Sequence, residues 1–231
     1  MESLPIHYAE VEAMYNQTIG RGYKTLAITS SISGEGKSTI TQAIVERAQI
    51  VGKKILLVEM NTLNPSLSNS LRESLSIEVI ENKVSKIMSK GYSIVAAPQN
   101  IQDILQFRED KLLRNVIQQW LQEFDVIIFD TSAVTALNQN NIPAEIICGV
   151  CEAALLVVEA GKTPSNLIKQ TVDKLTFNKV NLVGSVINDR YNPSLLTELQ
   201  RETYRFDGSF PSLMTKIRNK LASSVLLNIS V

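Results

Sequence analysis

The residues best suited to chemistry lie in ITSSISGEGKST, positions 28–39. Gly34 and Gly36 let the backbone turn its N–H groups inward, a helix starting near Lys37 aims its positive end at the same point, and Lys37 adds a full charge. Together they describe a phosphate-binding loop, made by Ser33, Gly34, Glu35, Gly36, Lys37, Ser38 and Thr39. The Ser38 hydroxyl suits Mg²⁺ and the Thr39 hydroxyl suits an inner phosphate. In the common pattern G-x-x-x-x-G-K-[ST] the first position is glycine, and Ser31 stands there; a non-glycine residue is tolerated if its φ is negative.

A loop that holds a nucleoside triphosphate and magnesium needs a carboxylate at the end of a neighbouring strand. DVIIFDTSAV supplies Asp130, whose competing reading is a helix cap after a strand. ILLVEMNTLNP supplies Glu59, able to order a metal-bound water or accept a proton. Asn61 is expected on the same face as Glu59 by strand alternation, but it is neutral and is no base.

These groups need strands to carry them. Short runs rich in Ile, Val and Leu at 25–29, 54–59, 93–97, 125–130, 153–160 and 181–188 alternate with helical spacing at about 37–51, 77–90, 109–123, 139–150 and 164–177. That alternation predicts an α/β fold: a doubly wound, mostly parallel sheet with strands buried on both faces, in three α/β/α layers. With the loop placed between strand and helix, this is a P-loop NTPase fold. No linker or repeat divides the 231 residues, so a single domain over 1–231 is expected, with its core at about 20–192 and short terminal extensions. Leu213, Ile217 and Leu221 recur every fourth residue, as on one helical face.

Composition excludes several classes. Hydrophobic residues make up 44% and charged residues 20%, as in folded soluble proteins. Lys plus Arg and Asp plus Glu are both 23, so no global basic field recruits nucleic acid. The longest apolar run is broken by Glu152 and is too short to span a bilayer. MESLPIHYAE has no apolar stretch of a secretory signal, and a cytoplasmic location is expected. Cys148 and Cys151 form a lone C-x-x-C, and with His7 the chain's one histidine, small buried residues at a helix end outweigh a zinc or redox site.

The chain resembles the bacterial tyrosine kinases of capsule and exopolysaccharide synthesis, relatives of the septum-placing and chromosome-partitioning ATPases. The resemblance spans about 20–192: ITSSISGEGKSTIT is similar to the first Walker motif, ILLVEMNTLNPSL to the A′ motif, and FDVIIFDTSAV to Walker B. LLVVEAGKTPSNLIKQTVDKL and LVGSVINDRYNP resemble later segments of the family. The resemblance implies ATP and Mg²⁺ as cofactors, Lys37, Glu59 and Asp130 as catalytic residues, and Ser38, Asp130 and Glu59 around the metal. It also implies an adenine contact at Asn188. The implied partner is the cytoplasmic segment of a membrane-bound polysaccharide chain-length or export protein, which would bring the chain to the inner membrane; a homo-oligomer is implied and nucleic acid is not.

Departures from the family pattern fall on the transfer step. The A′ motif normally reads D-x-D-x-R, and those positions hold Glu59, Asn61 and Leu63; D-T-S-A stands for D-T-P-P in Walker B. The resemblance implies a tyrosine-rich tail, whereas Tyr191 and Tyr204 are the last tyrosines of this sequence. A degenerate member with weak or lost kinase activity is therefore expected. The alternatives are an active kinase or ATPase using Glu59 as base, and a partitioning ATPase, which Ile32 at the site of its signature lysine disfavours.

Overall fold

The structure, a computed structural model, describes residues 4–63, 65, 77–80, 84–89, 92–136, 138, 140–189, 199, 203, 204 and 211–222, with the backbone alone at 77–80, 84–89 and 211–213. By internal contacts the chain forms two compact units, Met1–Asn188 and Asp189–Val231.

The first unit carries strands β1 (Thr25–Ser30), β2 (Ile55–Glu59), β3 (Ile77–Ile80), β4 (Val84–Ser89), β5 (Tyr92–Val95), β6 (Val126–Ala133), β7 (Ala153–Glu159) and β8 (Leu182–Asn188). They form one sheet in the order β3-β4-β5-β2-β6-β1-β7-β8. From β5 to β8 all neighbours are parallel, and β4 and β3 add an antiparallel edge. The α/β class and the mostly parallel sheet expected from the alternating pattern are what the chain adopts.

Its helices are α1 (Ala9–Gln17), α2 (Lys37–Ile50), α3 (Ile101–Phe107), α4 (Asp110–Trp120), α5 (Ala144–Val150) and α6 (Ser165–Phe177). Alternate residues of the same strands feed two cores. Leu26, Ile28, Leu57 and Ile128 pack with Val11 and Met14 of α1 and Ile40 and Ile44 of α2. Ala27, Leu56, Val58, Ile127 and Phe129 pack on the other face with Ile104 of α3, Leu113 and Ile117 of α4, Ile147 of α5 and Leu175 of α6. This is the three-layer arrangement, and it accounts for the unbroken apolar runs: a strand with helices on both faces has no solvent side.

Four expectations need correction. The segment expected as a helix at 77–90 contains β3 and β4, paired antiparallel with Ile77 opposite Ile87 and Ile80 opposite Val84. Strands buried throughout are found at β1, β2, β6 and β7, but β8 is only partly covered, with Ile187 71% exposed, since among the described residues it pairs with β7 alone. The Walker B strand does not end at Asp130. It continues to Ala133, and Ser132 and Ala133 keep the backbone N–H groups for a ladder that two prolines would lack. Helix α5 begins at Ala144, well after 139, and α3 was not anticipated.

In the second unit, α7 (Pro211–Ala222) places Ile217 and Leu221 half-buried. Arg218 stacks 4.2 Å above the Tyr204 ring and donates to Thr203 Oγ1 at 3.3 Å. Tyr191 lies outside the described residues.

Candidate functional site

The carboxyl end of β1 lies between those of β6 and β7, so the segment after β1 is flanked by the loops that leave its neighbours. That segment is the glycine loop. Gly34 and Gly36 have φ of +88° and +89°, a backbone that L residues other than glycine adopt only under strain. Gly36 is also the N-cap of α2, and a Cβ there would displace the Asn188 amide, which donates to the Glu35 carbonyl. Lys179 is the one non-glycine described residue with positive φ, so Ser31 meets the condition for replacing glycine at the loop's first position.

Lys37 opens α2 and is 6% exposed. Its ammonium donates to Ser30 Oγ at 2.9 Å, and burial lowers its pKa against the opposing pull of Asp130 and Glu35. Ser38, on the same first turn, donates to Asp130 Oδ2 at 2.6 Å. Asp130 is fully buried, and its other oxygen, Oδ1, has no hydrogen-bond partner among the described residues. Desolvation holds its carboxyl up at about 6, with Lys37 and the Ser38 bond lowering it and Glu59 raising it. An orphaned buried carboxylate oxygen next to a hydroxyl, beside the glycine loop, fits a hard divalent cation such as Mg²⁺. The residues present thus suit a nucleotide with its magnesium. The cap reading of Asp130 has no helix to serve, since α5 starts at Ala144.

Glu59 ends β2 in register with Asp130 on β6, and it too is fully buried. Asn61 lies beyond the last strand residue, so strand alternation does not extend to it; it is half-buried, and Leu63 is 45% exposed. The A′ segment is held from the other side: Thr62 donates to the Asn140 carbonyl at 2.7 Å, and Arg108, just after α3, donates through Nε to the Asn141 carbonyl at 2.9 Å. Ser33 and Gly34 are exposed at the loop's mouth, and Thr39 is half-buried on α2.

Glu35 behaves differently from its loop neighbours. Its side chain is fully buried and turned into the body: Oε2 accepts the Ile32 N–H at 2.8 Å, and Oε1 accepts the Glu159 N–H at 3.1 Å and the Thr163 hydroxyl. Its carbonyl accepts from Asn188 Nδ2 at 3.0 Å. Any phosphate contact from Glu35 falls to its backbone, and Asn188 is placed at the loop's back. Sequence reasoning missed Glu159, Lys162 and Thr163. The available signal was AGKTPSN after a buried strand, since a strand beside β1 must deliver its C-terminal loop to the phosphate loop. Cys148 and Cys151 are buried free thiols at the end of α5, both pushed up by desolvation. Among the described residues no group of three or more His, Cys, Asp and Glu side chains is placed to hold a metal by itself, and no helix is long and apolar enough to cross a membrane.

No protein-family model matches the chain. A tyrosine-protein kinase, CpsD, of Streptococcus agalactiae is 26% identical over 194 residues, covering 78% of this chain and 80% of that protein. The succinoglycan biosynthesis transport protein ExoP of Rhizobium meliloti is 20% identical over 181 residues, 73% of this chain and 22% of that much longer protein. Among solved structures, the kinase domain of the Escherichia coli tyrosine kinase ETK superposes with a TM-score of 0.61 at 15% identity, covering 81% of each chain. Sequence likeness along most of the chain and the same fold agree: the chain is homologous to bacterial tyrosine kinases.

Proposed function

We propose that the chain binds ATP·Mg²⁺ in this loop and acts in capsule or exopolysaccharide biosynthesis or export, through nucleotide-dependent contact with the cytoplasmic segment of a membrane-bound export protein, with kinase activity weak or lost. The observation that carries this reading is an intact loop, Lys37–Ser38–Asp130 included, beside an A′ segment without its second carboxylate and its arginine. The loop amides and Lys37 hold phosphate oxygens; Ser38 and Asp130 hold the cation. Bound ATP·Mg²⁺ supplies the transferable phosphoryl group. Glu59, with 0% of its surface exposed, is closed to an incoming protein hydroxyl, which favours binding over transfer. The polysaccharide role and the partner rest on likeness to proteins of that work, ExoP by its name among them. Incubation with labelled ATP tests the reading: retention of nucleotide that is lost in Lys37→Ala, with little labelled tyrosine, is expected. Strong tyrosine autophosphorylation abolished by Lys37→Ala refutes the loss of activity.

One observation favours a second reading. Glu59 lies in register beside Asp130, where a carboxylate base would stand, so an active kinase or ATPase using Glu59 is the alternative. Glu59→Gln separates the two: a large fall in turnover supports the active enzyme, and unchanged turnover removes Glu59 as base.

A further inference from the structure

The loop after β7 brings a second lysine to the phosphate loop. A methyl group built on Gly34 would lie 3.5 Å from Lys162 Nζ, so the ammonium sits against the loop at its exposed mouth. Lys162 is also paired with Glu159 at 2.6 Å; its side chain is 46% exposed and that of Glu159 only 4%. A buried carboxylate thus anchors a cation that is itself accessible. The anchor is in turn fixed to the loop, because Glu35 accepts both the Glu159 N–H at 3.1 Å and the Thr163 hydroxyl. Gly34, Glu35, Glu159, Lys162 and Thr163 form one connected patch joining two loops more than 120 residues apart in the chain, by separations of 124 and 128.

We propose that Lys162 is a second phosphate-binding cation of this site, contacting the polyphosphate of a bound nucleotide over Gly34 at the loop's mouth, with Glu159 as its positioning residue. Three properties carry this. An ammonium has three donors on a compact head, so the bond to Glu159 is compatible with a bridging bond to a phosphate oxygen. The side chain is 46% exposed, so a ligand at the loop's mouth can reach it. Gly34, the residue it overlies, is glycine with φ +88° and offers no side chain to keep the ammonium from the anion the loop holds. The inference rests on the nucleotide reading above and names one further ligand group for it.

The test is calorimetric titration of MgATP, and of MgADP and adenosine, into the full chain and its Lys37→Ala, Lys162→Ala and Lys162→Arg variants. Lys162→Ala is expected to weaken MgATP by about 10- to 100-fold, the range of one charge-assisted hydrogen bond, while leaving adenosine binding as in the wild type; a lower melting midpoint is expected beside it, because Glu159 loses its ion-pair partner, so a drop in adenosine binding as well would assign the effect to lost structure and overturn the proposal. Lys162→Arg, which keeps the charge, is expected to recover most of the loss. If Lys162→Ala binds MgATP as the wild type does, or if Lys162→Arg is as weak as Lys162→Ala, the proposal is overturned while the nucleotide reading stands on Lys37→Ala. If the wild type binds no nucleotide, both fall.

Discussion

Asp130 is the most consequential single residue. An unfolded aspartate ionises near 3.8 and the folded one at about 6, so the folded form holds its proton more tightly. This group therefore favours folding at low pH, and that contribution is lost as pH rises from 3.8 to about 6. At neutral pH the protein carries an ionised, half-satisfied buried acid. Asp130→Asn is expected to raise stability without ligand at pH 7, by about 1–3 kcal/mol, while losing magnesium-dependent nucleotide binding. Thermal denaturation and calorimetry check the two halves, and a destabilised variant contradicts the assignment. The wild type carries a companion expectation. Magnesium-dependent affinity should decline as pH falls below about 6, where Asp130 takes up its proton. A flat profile from pH 5 to 8 would show another group holding the cation. That Lys37, Ser38 and Asp130 come together was legible in sequence because their short motifs lie on and after the paired strands β1 and β6. The buried role of the Glu35 side chain was not, since two of its partners come from a loop over 120 residues away, at separations of 124 and 128.

Elements are held by a few polar ties. Glu35 links the phosphate loop to the β7–α6 loop, and Glu35→Gln turns one of its acceptor oxygens into an amide facing N–H or hydroxyl donors. A destabilisation of about 1–3 kcal/mol is expected, together with weaker nucleotide binding, measured by denaturant unfolding and titration; an unchanged loop would mean the tie is dispensable. Helix α1 is fastened to α2 by Arg47, which donates to both Glu12 oxygens at 2.6 and 3.0 Å and stacks 4.4 Å above Tyr15. Strand placement was readable because burial on both faces leaves a short apolar run bounded by turn residues, a pattern that amphipathic helices do not produce. The 77–90 segment was not readable in this way. Its Ile77, Ile80, Val84 and Ile87 fall at steps of three and four, which fits a helical face, and pairwise across a hairpin, which is how they are found. Spacing alone does not separate those templates; the neighbouring strand β5 does.

At the scale of the whole molecule, stability rests on a sheet with two covered faces. Phe129, fully buried at the centre of one core, is expected to cost about 3–5 kcal/mol when cut to alanine, or roughly 10 °C in the unfolding midpoint; a loss under about 1 kcal/mol would mean that this core closes over the gap. Charge acts at the same scale. With 23 basic and 23 acidic residues there is no long-range attraction to a polyanion, so ATP should not drive co-sedimentation with DNA. Pelleting that requires ATP and fades with salt would instead favour a partitioning ATPase.

The two thiols give the molecule an internal clock. Cys148 and Cys151 are the chain's only cysteines, and both are buried at the end of α5 with their ionisation suppressed. A thiol reagent can therefore modify the native protein only when that flank transiently lifts, and the rate of modification counts those openings with no background from other sites. Slowing of that rate by nucleotide would reveal how far a ligand's grip on one end of the sheet quiets the breathing of its side.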